Sequence, residues 1–166
     1  MVLAGGASQN HPTPQIFEKL QKTRMNIYFA CSITGGRQFE AVYQSITQTL
    51  LESGHEVPTA HLAGADVVNL EKIVDARDIY TRDVNWIQAC DALIAEVSTP
   101  SHGVGYEVAY ALEIGKPVLC CYRCGQKVSK MITGNSHKNL QVISYQDVTQ
   151  AVNCIHEFLH TLKRSL

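Results

Sequence analysis

What this chain has little of narrows its class before any motif is read. Only 17% of its 166 residues are charged, the formal net charge is −1 and no long basic run occurs, which argues against a nucleic-acid backbone as the main partner. A small anionic ligand stays open. No segment approaches the roughly 18 to 20 apolar residues of a membrane span. The N-terminus also lacks the charged and apolar regions of a secretory signal, so a soluble cytoplasmic protein, with the nucleus also open to it, is expected. There is no internal repeat and no low-complexity linker. The six cysteines (Cys31, Cys90, Cys120, Cys121, Cys124, Cys154) sit mostly inside apolar segments rather than in a spaced framework, so free thiols are expected.

What is present is a chain 45% hydrophobic, enough for one domain with a real core. Residues 1–24 read as a flexible tail, with Pro12 and Pro14 and little apolar periodicity. Residues 25–166 form the domain. Met25 to Ala30 predicts a strand, Gln38 to Ser53 a helix ended by Gly54, and His55 to Thr59 a short strand. Asp66 to Ala76 and Ile79 to Ala89 predict helices, Asp91 to Val97 a buried strand, and Gly105 to Ile114 a helix closed by Gly115. Pro117 to Tyr122 and Gln141 to Ser144 predict strands, and Asp147 to Leu162 the last helix. Strands alternating with helices imply an α/β fold: one Rossmann-like, flavodoxin-like parallel sheet of about five strands flanked by helices. Ligands of such sheets sit beyond the carboxyl ends of the strands.

Two loops lie there. The first, Cys31-Ser32-Ile33-Thr34-Gly35-Gly36-Arg37, follows a strand and opens a helix, the place where unpaired N–H groups and the helix dipole suit a phosphate. It has neither the Gly-Lys-Ser/Thr ending of a Walker loop nor the dinucleotide G-x-G-x-x-G, and by itself it equally suits an ordinary turn. The second runs from Ser98 to Glu107. Ser101 and the N–H groups near Gly103 could hold the same phosphate, and Glu107 would fall in the first turn of a helix, where the dipole favours its ionised form. A positioned carboxylate is the nucleophile that retaining glycosidic chemistry needs. Asp83, on a helix with Arg82 and Trp86, could contact or protonate a leaving group. Tyr28 could direct its hydroxyl toward Glu107. Taken singly, each also suits a bland role: a solvated helix-start glutamate, an exposed acid, a core tyrosine.

Ile27-Tyr28-Phe29, Ser32-Ile33, Gly35-Gly36-Arg37, Asp83 with Trp86, Glu96-Val97 and Pro100-Ser101 with Gly103-Val104-Gly105-Tyr106-Glu107 come in an order and spacing that closely resembles the 2′-deoxynucleoside 5′-monophosphate N-glycosidase family. That family lies within the nucleoside 2-deoxyribosyltransferase group. The resemblance spans roughly residues 25–145. It implies hydrolysis of a deoxynucleoside monophosphate to free base and 2-deoxyribose 5-phosphate, with no metal or cofactor. It implies Glu107 as the nucleophile of a covalent deoxyribosyl intermediate, Asp83 as the acid near the base, and Tyr28 as the residue orienting the nucleophile. Cys31, Ser32, Ile33, Thr34, Gly35, Gly36, Arg37, Ser101 and Gly103 fall on phosphate-binding or substrate-binding positions, and Tyr43 and His61 on pocket-side ones. Ser129, with Met131, resembles a serine that reaches the neighbouring subunit's site, implying a homodimer with shared active sites. Cys31 stands where a glycine is common, Thr34 where some members carry arginine, and the 123–129 segment is shorter than in vertebrate members.

Four competing readings share the sequence. His156-Glu157-Phe158-Leu159-His160 fits the zinc-protease H-E-x-x-H, but six residues from the end it has no room for a third ligand. Cys121-x-x-Cys124 follows a strand without the helix of a thioredoxin motif or a second cysteine pair. A nucleotide sensor would use the same cradles without turnover, yet has no need of Glu107, Asp83 and Tyr28 together. The nearest enzyme alternative passes the sugar to another base instead of water.

Overall fold

The computed structural model describes residues 24–64, 66–67, 69 and 73–165. The tail expected over 1–24 lies outside them except for Arg24. The helix expected over Asp66 to Ala76 falls partly outside them as well; its described end is a turn at Ile73 and Val74, and Asp75 instead accepts Arg77 N at 2.8 Å to cap the next helix.

Four strands build one parallel sheet in the order β1 (Ile27–Ala30), β2 (Ala92–Glu96), β3 (Val118–Arg123), β4 (Leu140–Tyr145). Between them run α1 (Glu40–Glu52), α2 (Ala76–Ala89), α3 (His102–Glu113), the one-turn α4 (Lys130–Thr133) and the closing α5 (Val148–Ser165). Side chains alternate across the pleat. Ile27, Phe29, Ile94, Leu119 and Cys121 pack under α1 and α5 with Ile46, Leu50, Ile155 and Phe158. On the other face Tyr28, Leu93, Ala95, Val118 and Cys120 pack under α2 and α3 with Ile87, Val104 and Val108. Nearly every strand position is apolar because both faces are covered. All six cysteines are free thiols, and only Cys124 is exposed.

The fifth strand is a correction. Residues 55–59 make a single bridge, Glu56 to Asn26, beside β1. Pro58 has no N–H to donate, and side chains take over where the ladder stops: Met25 N donates to His55 Nδ1 (3.1 Å) and Phe29 N to Thr59 Oγ1 (3.0 Å). The bridge still fixes the topology. The chain leaves β1 toward one side of the sheet and returns over it to β2 on the other, so the crevice between the ends of β1 and β2 is the switch point where such folds bind ligands. Both candidate loops leave from there.

Candidate active site

Tyr28 and Glu107 meet at this crevice. Tyr28, fully buried on the α2/α3 face of β1, donates its hydroxyl to Glu107 Oε1 at 2.8 Å. Burial, with Glu107 and Asp83 adding to it, pushes the phenol far above its ordinary range, so Tyr28 keeps its proton and acts as a fixed donor. Glu107 departs from its expected electrostatics. Ser101 caps α3 by accepting Val104 N (3.4 Å), so the helix starts at His102 and Glu107 sits in its second turn, past the strongest part of the dipole. Burial dominates and pushes the Glu107 carboxyl up to about 7, against the Tyr28 hydrogen bond that favours the carboxylate; Asp83 raises it further and Arg82 lowers it. A carboxylate that is poorly solvated near neutrality is a stronger nucleophile than one in water.

Asp83 is close enough for its charge to reach both groups. It lies half-buried on α2, where Arg82 Nε donates to its Oδ1 at 2.8 Å. The Arg82 guanidinium also lies 4.9 Å from the centre of the Trp86 ring. His61, in the one-turn 3₁₀ segment Ala60–Ala63, meets that ring edge-on with centroids 5.9 Å apart. An aromatic and charged wall thus stands beside the Tyr28–Glu107 pair, suited to a planar ring.

The two loops touch. A Cβ on Gly35 would lie 2.3 Å from Pro100 O and 2.9 Å from Ser32 Oγ, so only glycine lets them close. Gln38 Nε2 donates to Thr99 Oγ1 (3.3 Å) beside it, and Gly36 takes φ +128°. Ser32 is fully buried and its hydroxyl has no partner, a costly state that an arriving acceptor would relieve. Thr34 is exposed and Ile33 half-buried, while Cys31 is buried and its thiol is pushed up to about 12. Gly103 lies in the first turn of α3, whose N–H groups have no intrahelical acceptor.

Two expected roles change. Arg37 spends its donors inside the chain. Its Nε donates to Glu40 Oε2 (3.2 Å), Nη1 to Ser32 O (3.3 Å) and Leu62 O (3.1 Å), and Nη2 to Ala63 O (2.9 Å) and Gly64 O (2.7 Å). Those are all five donors a guanidinium has. Tyr43 is not pocket-side: it is fully buried on the inner face of α1, beneath the Arg37 guanidinium and edge-on to Phe29.

Ser129 and Met131 stand apart from Glu107. Ser129 caps α4 by accepting Met131 N (3.2 Å), and Met131 is 82% exposed. With Thr34, Gly35 and Ser101 they line a groove of about 1110 Å³ that Tyr28, Asp83 and Glu107 do not reach. One chain therefore brings the loops and the carboxylates together, and Ser129 lines a groove with Thr34, Gly35 and Ser101 that the carboxylates do not line.

A buried network supports the second loop and escaped the sequence reading. Glu96, at the end of β2, accepts Tyr145 OH (2.8 Å) and Ser98 N (3.3 Å), and is bonded to Ser98 Oγ, which in turn accepts Arg123 N (2.7 Å). Burial pushes its carboxyl up. The network ties the ends of β2, β3 and β4 beneath residues 97–101, and only the register of three strands could have foretold it. His156, Glu157 and His160 face solvent on α5. Among the described residues no three His, Cys, Asp or Glu side chains are grouped to hold a metal ion. Cys121 is buried, its thiol directed at Ala95 O (3.6 Å), while Cys124 is exposed. Among those residues no helix is long and apolar enough to cross a membrane.

Known proteins resemble this chain. The chain is 39% identical over 145 residues to the 5-hydroxymethyl-dUMP N-hydrolase of Danio rerio, covering 85% of this chain and 100% of that protein. It is 42% identical over 129 residues to the enzyme of that name from Esox lucius, covering 74% and 88%. The structure of a CMP N-glycosidase from Clostridium botulinum superposes with a TM-score of 0.62 at 19% identity, over 80% of this chain and 98% of that one, a likeness of fold. The profile of the nucleoside 2-deoxyribosyltransferase family matches residues 27–153, the span that holds both loops, the Tyr28–Glu107 pair and Asp83. With that span and those relatives, the chain belongs to the nucleoside 2-deoxyribosyltransferase family.

Proposed function

We propose that this chain hydrolyses the N-glycosidic bond of 2′-deoxynucleoside 5′-monophosphates. The observation that carries the reading is the Tyr28–Glu107 hydrogen bond at the switch point, beside two interlocked loops with a buried, unpartnered Ser32 hydroxyl. The N-hydrolase names of its relatives support it.

In this mechanism a Glu107 oxygen attacks C1′ and the bond from C1′ to the base nitrogen breaks, its electron pair leaving with the base. Asp83 contacts the base, which takes up a proton from water as it leaves. Tyr28 holds the carboxylate in line. Water then adds at C1′ of the glycosyl ester, the C1′–Glu107 bond breaks, its pair returns to the carboxylate, and the water proton is released to solvent. The phosphate is held by Ser32, the Ser101 hydroxyl and the first-turn N–H groups of α3 near Gly103 rather than by Arg37. That remote binding positions C1′. Loss of the electron-withdrawing 2′-hydroxyl eases the cationic transition state, which favours deoxyribose. Incubation with a panel of monophosphates, purine, pyrimidine and 5-hydroxymethyl-dUMP, with and without a second free base, tests the reading. Free base and 2-deoxyribose 5-phosphate are expected in both arms. A new nucleotide formed only when the second base is added would instead make the chain a transferase, and silence with every monophosphate would remove the assignment.

The working unit in this reading is a homodimer in which Ser129 of each copy completes the site of the other. The exposure of Met131, and a groove that Ser129 lines with Thr34, Gly35 and Ser101 but not with Glu107, support it. A mixed dimer of Glu107→Gln and Ser129→Ala chains then holds one wholly native site. Its activity should exceed the mean of the two parent variants several-fold; a value at that mean would place Ser129 in its own chain's site or in none.

A further inference from the structure

We infer that Arg37 is a positioning residue of the base-side wall, and that its work is to fix the turn carrying His61 rather than to bind the phosphate. The inference rests on the N-glycosidase reading for its activity arm alone. The side chain leaves the first loop, yet four of its five N–H bonds close on main-chain carbonyls, three of them the consecutive Leu62, Ala63 and Gly64. Glu40, the first residue of α1, takes the fifth and supplies the countercharge at 3.2 Å, with both side chains mostly shielded from water.

The clamp is aimed at a short turn whose Leu62 and Ala63 are buried and whose Leu62 carbonyl also takes the Cys31 thiol. Ala60–Ala63 is a single 3₁₀ turn without a side-chain cap, and such short pieces are weakly self-supporting. What the turn presents is His61, whose ring meets Trp86; Trp86 lies beneath Arg82, and Arg82 holds Asp83. A continuous series of contacts therefore runs from the glycine loop to the carboxylate assigned to the leaving base. Lysine cannot replace Arg37 here. Its ammonium has three donors on a point charge and no planar fork to span four carbonyls.

The two roles for Arg37 separate experimentally. A phosphate ligand would be rescued by the charge of Arg37→Lys, and Arg37→Met would lose inhibition by inorganic phosphate and by 2-deoxyribose 5-phosphate. A clamp is rescued by neither. For both variants kcat/KM should fall about tenfold or more, the scale of a small misplacement at a reacting centre. The drop should differ between bases, while inhibition by inorganic phosphate changes less than about threefold. Trp86 is the chain's single tryptophan, so its emission reads the same wall with no substrate present. Arg37→Lys should raise acrylamide quenching of Trp86, and Glu40→Gln, which loosens the clamp while leaving Arg37 in place, should raise it to a smaller degree and keep the variant folded. Near-native kcat/KM in Arg37→Lys, or tenfold loss of phosphate inhibition in Arg37→Met with Trp86 quenching unchanged, would overturn the inference. A chain that releases no base from any nucleotide would sink the N-glycosidase reading, and the fluorescence arm would still decide for or against the clamp.

Discussion

Replacing Glu107 with glutamine is expected to cut release of base from deoxynucleoside monophosphates by at least about a thousandfold, the scale on which removal of a covalent nucleophile is felt. An amide of the same shape cannot supply the electron pair that forms the glycosyl ester. The same variant carries an internal control. The folded chain holds the Glu107 carboxyl at about 7 against an ordinary 4.5, chiefly by burial. Between those values the unfolded chain has released a proton that the folded chain keeps, so this group takes stability away as pH rises through the window. Glutamine removes that cost. At pH 8 Glu107→Gln should therefore melt above the native protein, by an amount equivalent to roughly 1–2 kcal/mol once partial exposure is allowed for. The gap should close at pH 4, where both states of the native protein are protonated. Loss of turnover with a raised melting temperature separates a chemical role from a folding defect.

The second large effect belongs to Tyr28→Phe. A hydrogen bond to a charged group is worth about 1.5–3 kcal/mol, so kcat/KM at pH 7 should fall roughly tenfold to a hundredfold. The direction of the pH profile identifies the cause. In the proposed mechanism Glu107 attacks ionised, so native kcat/KM should rise with pH to a plateau above about 7, the value to which burial brings Glu107. The Tyr28 hydroxyl favours the carboxylate and lowers that value. Without it the rise should move to higher pH, and part of the lost rate should return at pH 8.5 to 9. A profile displaced downward with no shift of its acid limb would mean that Tyr28 packs and does not tune Glu107. Phenylalanine fits the same buried space, so little else changes.

Much of this site was legible because its parts are local. The strand–loop–helix units could be read from period-two and period-3.6 patterns, and the ordered set of Tyr28, the glycine loop, Asp83 and Glu107 identified the family. What was missed depends on partners far away in the chain. Arg37 looks like a phosphate ligand until the turn at 62–64 is folded against it. Glu96 is one more strand residue until β3 and β4 bring Arg123 and Tyr145 to it and to Ser98. The start of α3 was misplaced by three residues because two glycines suggested a loop where the Ser101 cap begins a helix, and that error put Glu107 under the dipole instead of under burial. The expected strand at 55–59 has the right apolar pattern, but side chains of His55 and Thr59 take the hydrogen bonds its backbone would have made.

The central claim is that Glu107 becomes covalently bound to C1′ of a phosphorylated deoxyribose. Acid quenching during steady turnover, followed by digestion and peptide mass analysis, tests it most directly. The account expects a deoxyribose-phosphate adduct on the peptide containing Glu107, appearing with substrate and absent from Glu107→Gln. An adduct on another residue, or full turnover by Glu107→Gln, would contradict it.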